Sequence, residues 1–167
     1  MTIFIRAVEA ASRLCGLASM VLLAAAVIVV SEMVFVRYVL GHSTIWQTEF
    51  VIYSIIASTF IGAPYVLLLH GHVGVDLLPN ALPRGPARLM NIVASLIALA
   101  FCALVAWTSG HFWYEAFSRG WTTETVWKIP LWIPLLPLPL GMIMTCLQYV
   151  VQIMKPVEPT QPEAFSG

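Results

Sequence analysis

An all-α membrane protein with four transmembrane helices is the fold class this sequence predicts, on three observations. Hydrophobic residues make up 60% of the chain and charged residues 10%, a balance that a domain of this size cannot hide within its own core. The charges fall between long uncharged runs and not inside them. The six tryptophans gather at two of the intervening connections, as aromatic anchors do at a membrane surface. Net charge is zero, so no basic field points to nucleic acid or to an anionic surface as the main partner. Cys15, Cys102 and Cys146 lie in apolar runs, where a thiol is a small buried side chain before it is a disulfide or a metal ligand.

Taken in order, residues 1–13 carry Arg6, Glu9 and Arg13 at spacings of three and four, the pattern of a short amphipathic helix lying at the membrane interface. The first span covers about residues 14–36 and is built on an uncharged run, 14–31. A cleaved signal peptide is the rival reading, but Ala24-Ala25-Ala26 sits in mid-run with Val27-Ile28-Val29-Val30 after it. The second span, 50–69, is 20 uncharged residues, about the length that crosses a ~30 Å hydrocarbon core. Pro64 lies in its later half, where it removes a backbone donor from the carbonyl of Phe60 and implies a bend. Gly62 and Ala63 beside it are small enough to admit another helix. The third span covers 89–110 and the fourth 129–154, which opens with Pro130, Pro134, Pro137 and Pro139. Pro130 suits a first helical turn; the other three deprive the carbonyls of Pro130, Ile133 and Leu135 of donors and require protein, water or the interface around them. Residues 1–155 thus read as a single four-helix membrane domain and 156–167 as a disordered tail.

Four spans place both termini on one side. Arg6, Arg13, Arg84, Arg88 and Lys155 lie on that side against Arg37, Arg119 and Lys128 on the other, so the termini and tail are expected in the cytoplasm. The connections 32–49 and 111–128, where the tryptophans gather, then face outward.

Chemistry is sparse. No charge lies at the middle of a span, whereas a carrier needs polar groups there to hold a desolvated ion, and no nucleophile motif, phosphate loop or catalytic carboxylate pair is present. An enzyme is not expected, nor a cofactor or metal within this chain. His70, His72 and Asp76 have poor spacing for a metal. A haem held between His42 and His111, as in the membrane anchor of a respiratory enzyme, is the alternative reading. A small exporter acting alone is disfavoured, because Glu32 lies at the end of the first span and not within it. The remaining charges suggest interface pairs, Arg37 with Glu49 on the outer side and Asp76 with Arg84 and Arg88 on the inner.

Several short motifs are recognisable when read together: Val36-Arg37-Tyr38-Val39-Leu40, Trp46-Gln47-Thr48-Glu49, Phe60-Ile61-Gly62-Ala63, Gly71-His72-Val73-Gly74-Val75-Asp76-Leu77-Leu78, Ile129-Pro130-Leu131-Trp132 and Pro139-Leu140-Gly141. In this order the chain resembles the small membrane subunit of tripartite ATP-independent periplasmic (TRAP) transporters, although Gln47-Thr48 replaces a more acidic or serine-containing stretch. The resemblance implies a bacterial or archaeal cytoplasmic membrane and the separate, unfused form of the subunit. It implies two protein partners: a periplasmic substrate-binding protein that captures an organic anion, and a large multi-span elevator subunit that carries it with sodium, the sodium being held in that partner. Membrane phospholipid is a further expected contact, and nucleic acid is not. Arg37, Trp46, Glu49, Gly62, Ala63, Pro64, His72, Asp76, Pro130, Trp132, Pro139 and Gly141 are the residues expected to form the subunit interface or its structural motifs. The second and fourth spans are expected at the large subunit, and the outer residues near Trp46 and Glu49 at the binding protein.

Overall fold

The computed structural model describes residues 2–69, 84–125 and 127–154. Helix α1 runs Thr2–Val39, α2 Ile45–Leu68, α3 Arg84–Ser118, α4 Trp132–Leu135 and α5 Pro137–Met154. Four stretches within them are long and apolar enough to cross a membrane: Ile3–Val39, Ile45–Leu68, Ile92–Ser118 and Trp132–Met154.

Several boundaries differ from the sequence expectation: α2 begins at Ile45 and not at 50, α3 begins at Arg84 and not at 89, and the fourth span is divided into α4 and α5. The amphipathic segment 2–13 is not a separate interfacial helix but the first three turns of α1, because no proline or turn residue separates Arg13 from the apolar run. At about 1.5 Å per residue, the 38 residues of α1 extend to about 57 Å, well beyond a ~30 Å hydrocarbon core. The first connection therefore shrinks to residues 40–44, turned by Gly41 at φ 65°. Likewise α3 does not stop at Gly110 but continues through the aromatic segment 112–117 to Ser118. It stops where a left-handed residue is available: Gly120 has φ 62°, its amide donates to the Phe117 carbonyl, and the Trp121 amide donates to that of Ala116. These two bonds make a Schellman cap, which satisfies carbonyls a helix end leaves open.

The helices pack in a row and not in a square. α1 lies along α2, α2 against α5, and α5 against α3, with a smaller contact closing α1 onto α5. Among the described residues α3 has no comparable packing on α1 or α2. The shielded side of α1 repeats at alternating intervals of three and four, through Val8, Ser12, Cys15, Ser19, Leu22 and Ala26. That 3.5-residue period is the one two helices need to stay in register. Polar clasps sit on this seam: the Ser19 hydroxyl donates to the Ser58 carbonyl of α2 at 2.7 Å, and the buried Ser12 hydroxyl to Gln148 Oε1 of α5 at 3.0 Å. Glycines bring the backbones close. A methyl on Gly16 would strike the Tyr65 ring, and one on Gly62 would lie 2.7 Å from Ser19 Oγ.

The closest approach is between α2 and α5. Pro64, buried inside α2, gives the Phe60 carbonyl no amide partner. Gly141 of α5 faces that same carbonyl so closely that an added Cβ would overlap its oxygen and carbon. Only a glycine Cα–H fits, and its weak polarity suits a carbonyl lacking its usual donor. The prolines entering α5 are accommodated by tightened turns. The Ile133 amide reaches back to the Pro130 carbonyl at 3.1 Å, and that of Leu136 to Trp132 at 3.2 Å and Ile133 at 3.4 Å. Two of the three carbonyls expected to lack donors are thereby partnered through three-residue steps.

Gly141→Ala is expected to lower the stability of the purified chain in detergent by about 1–3 kcal/mol through overpacking. Gly110→Ala, where nothing stands within 4 Å, should not, and paired thermal unfolding measurements check the contrast.

Candidate interaction site at the tryptophan-rich end

The end of α1, the start of α2, the end of α3 and the start of α5 meet at one end of the molecule, where the connections 40–44 and 119–131 lie. The longer connection is held as a narrow loop. Thr122 and Pro130 form an antiparallel bridge; the Thr123 amide donates to the Ile129 carbonyl at 2.9 Å, and the Leu131 amide to that of Trp121 at 2.8 Å. Lys128 takes a left-handed φ of 44° near the tip.

A hydroxyl relay ties this loop to α2. The Ile129 amide donates to Thr123 Oγ1 at 3.0 Å, Thr123 Oγ1 and Thr125 Oγ1 are 2.9 Å apart, and Thr125 donates to Glu49 Oε2 at 2.9 Å. Thr125 has one proton and gives it to the carboxylate, so the proton between the hydroxyls comes from Thr123. Glu49 is 8% exposed, and its other oxygen, Oε1, has no hydrogen-bond partner. Thr44 Oγ1 and Gln47 Oε1 on the same first turns of α2 are also buried without partners. Trp46, one turn before Glu49 on the same face, meets Trp127 of the loop with ring centroids 6.0 Å apart.

A second aromatic group fixes α3 to the entry of α5. Trp113 Nε1 donates to the Trp132 carbonyl at 3.0 Å, while Phe117 stacks on Trp113 at 5.7 Å and meets Trp132 edge-on at 5.8 Å. Arg119 lies over Trp121 and pairs with Glu115 at 2.9 Å. That pair is exposed, and such pairs add little to stability.

The expected residues divide accordingly. Trp46 and Glu49 come together with loop 119–131, and Trp132 joins the α3–α5 contact. Gly62, Pro64, Pro139 and Gly141 are buried within the chain, Gly62 against α1 and Gly141 against α2, with Ala63 half-buried beside them. The expected Arg37–Glu49 pair does not form: Arg37 is exposed near the end of α1, and the carboxylate points to the threonines. Pro130 is exposed in the bridge. His72 and Asp76, with the pairing expected for Asp76, lie outside the described residues. His42 and His111 are both exposed, and the His111 ring lies against Trp107 at 5.3 Å, so nothing around these two side chains favours a haem between them. Among the described residues no group of three or more His, Cys, Asp and Glu side chains could hold a metal ion. Thr123, Thr125, Ser12 and Gln148 were not expected. For the loop a signal existed in Thr122-Thr123-Glu124-Thr125, a polar cluster beside an otherwise apolar chain.

This arrangement can bind and brace but offers no nucleophile or acid–base pair. Residues 26–158 match the DctQ component of the tripartite ATP-independent periplasmic transporters. The chain belongs to that family. Family membership and the four helical stretches long and apolar enough to cross a membrane agree with each other. Among curated relatives the chain is 28% identical to the C4-dicarboxylate TRAP transporter small permease protein DctQ of Vibrio cholerae, over 70% of this chain and 60% of the relative. It is 30% identical to the ectoine TRAP transporter small permease protein TeaB of Halomonas elongata, over 71% and 61% respectively. The chain thus spans about 60% of the length of these two relatives.

Thr123→Val removes the acceptor of the Ile129 amide and breaks the relay. With a net hydrogen-bond contribution of about 1 kcal/mol, hydrogen exchange at that amide should speed up by roughly 5-fold while mid-span amides of α2 keep their protection.

Proposed function

We propose that this chain is the small, non-catalytic scaffold subunit of a sodium-coupled secondary transporter that takes up organic anions, carboxylates above all, delivered by a periplasmic binding protein. It grips the immobile part of a large elevator-type membrane subunit and broadens its footing in the bilayer. The observation that carries this reading is the fate of the polar groups between the helices. Ser12 and Gln148 close on each other, Ser19 on the Ser58 carbonyl, and Thr145 on the Gly141 carbonyl at 2.8 Å. These groups join helices or bond within one, Gln152 Oε1 near the end of α5 being buried without a partner, and the uncharged runs add no ionised group that could coordinate a solute in mid-membrane.

The packing supports a different contact surface from the one expected. Glycines and prolines of α2 and α5 are used inside the chain, so they do not offer the close-approach face. Large apolar side chains stay exposed on α1, at Leu17, Val21 and Ile28, and on α3, at Ile97, Phe101 and Leu104. These two flanking helices are therefore assigned to the large subunit and to phospholipid. Both termini are placed in the cytoplasm, as the Lys and Arg distribution favours, which puts loop 119–131 on the periplasmic side, where the binding protein arrives. An open hollow of about 580 Å³ beside that loop, bounded by Trp121, Glu124 and Leu131 among others, gives it a place to dock. That this chain is about equally similar to small permease proteins named for C4-dicarboxylate and for ectoine, at 28% and 30% identity, supports a cargo chosen elsewhere in the assembly.

The test is reconstitution. Liposomes carrying this chain with the large subunit and the binding protein should show sodium-dependent uptake of an organic acid, whereas liposomes with this chain alone should show none. Val21→Glu or Phe101→Glu should reduce co-purification of the large subunit if that helix faces it. Uptake by the lone chain overturns the scaffold reading.

A further inference from the structure

Where α1 runs past the end of α2, an open hollow of about 460 Å³ is lined by Glu9 and Arg13 of α1 and by Tyr65, Leu68 and Leu69 of the chain leaving α2. Gly16 sets one wall, since its missing side chain lets the Tyr65 ring lie against α1. The five-residue connection 40–44 makes α1 and α2 antiparallel. With Gly16 opposite Tyr65, Arg13 therefore stands level with Leu68, each three residues further along. This level is the edge of the hydrocarbon layer. The uncharged run of α1 begins at Leu14, next to Arg13, and that of α2 ends at Leu69, next to His70. Arg13 is exposed and, among the described residues, forms no ion pair. Leu17, one turn deeper on the same helix face, is 57% exposed, and Leu69 61%.

We propose that this hollow is the headgroup site of a zwitterionic phospholipid, in the leaflet on the side of the termini, with its phosphate on the Arg13 guanidinium and its acyl chains along Leu17 and Val21 of α1. The site goes beyond the scaffold reading and does not depend on it. A guanidinium presents a planar fork of donors that matches two oxygens of a phosphate, and it is more weakly hydrated than an ammonium, which suits a place at the edge of water. Val21 continues the line from Arg13 and Leu17 at intervals of four, and it too is exposed. A ligand that meets a cation at the rim and an apolar stripe below it must carry both a charge and chains, which a free anion does not. Glu9 adds a negative charge to the lining, so the lining as a whole is neutral. A headgroup of no net charge suits it better than an anionic one, which the carboxylate repels.

The experiment uses the full chain, purified alone in detergent and stripped of lipid. Phosphatidylethanolamine, phosphatidylglycerol and inorganic phosphate are titrated into it separately, and binding is read as the rise in melting temperature. Phosphatidylethanolamine should give a saturable rise, phosphatidylglycerol should need a higher concentration for the same rise, and inorganic phosphate should give none. Arg13→Gln should raise the phosphatidylethanolamine concentration required by roughly 10-fold, as loss of a charge-assisted hydrogen bond does, with the lipid-free melting temperature unchanged. Arg13→Lys, which keeps the charge but not the fork, should fall between the two. Arg6→Gln, seven residues away on the same face and outside the lining, should match wild type. No lipid-dependent rise in wild type overturns the proposal, and so does a response to inorganic phosphate equal to that of the lipid. Equal losses from Arg6→Gln and Arg13→Gln assign the effect to general surface charge and overturn it as well. A lower lipid-free melting temperature in Arg13→Gln assigns the side chain to internal bracing, with the same consequence. Tighter binding of phosphatidylglycerol overturns the zwitterionic assignment. None of these outcomes bears on the scaffold reading, which stands or falls on retention of the large subunit.

Discussion

The contact on which this molecule depends is the crossing of α2 and α5 at Phe60 and Gly141. Pro64 deprives the Phe60 carbonyl of its donor, and hydrocarbon offers no water to replace it. The glycine opposite both permits the approach and shields the oxygen. Because α1 joins this pair through Ser12, Ser19 and Gly16, and among the described residues α3 joins it through α4 and α5, the row of helices is assembled around that one crossing. In a membrane, where apolar side chains gain little by leaving lipid for protein, shape fit of small residues and interhelical hydrogen bonds of well under 2 kcal/mol each must hold helices together. The positions that bring backbones close then matter more than the bulky ones.

The two ends of the molecule are built on different principles. Toward the N-terminal end, α1 and α5 are joined by a buried polar clasp, and the helices extend past the hydrocarbon thickness. The opposite end is closed by aromatic rings and a loop whose backbone is bridged across and tied by hydroxyls to a carboxylate on α2. Rings of tryptophan suit an interfacial depth, with apolar area to bury and one N–H to satisfy, and Trp113 satisfies its own on the Trp132 carbonyl. The result is a rigid cap over helix ends that would otherwise splay.

Much of the class was legible. Charge-free runs, the grouping of tryptophans and the ordered short motifs pointed to four spans and to the TRAP family, and the helices and the family match agree with that. Boundaries were less legible. The helix stop was read at Gly110, which lies in the interior of α3, instead of at Gly120, where a left-handed turn closes the helix. Both are glycines beside aromatic residues, and only backbone conformation distinguishes them. The Arg37–Glu49 pair follows from opposite charges near one turn, but Arg37 is exposed on α1 and Thr125 of the loop donates to the carboxylate.

What the sequence by itself determined is the solvent: a chain this apolar, with its charges kept to the connections, can only place its spans in a bilayer. Which side of each span faces protein was decided by the tertiary structure alone. In water an apolar stripe reports the buried face of a helix, but lipid is as apolar as a protein interior, so α1 shows hydrophobic residues all round and hides its 3.5-residue seam. The faces are set by where a serine finds a partner on another helix and where a missing side chain lets two backbones meet, and neither can be known until both helices are in place.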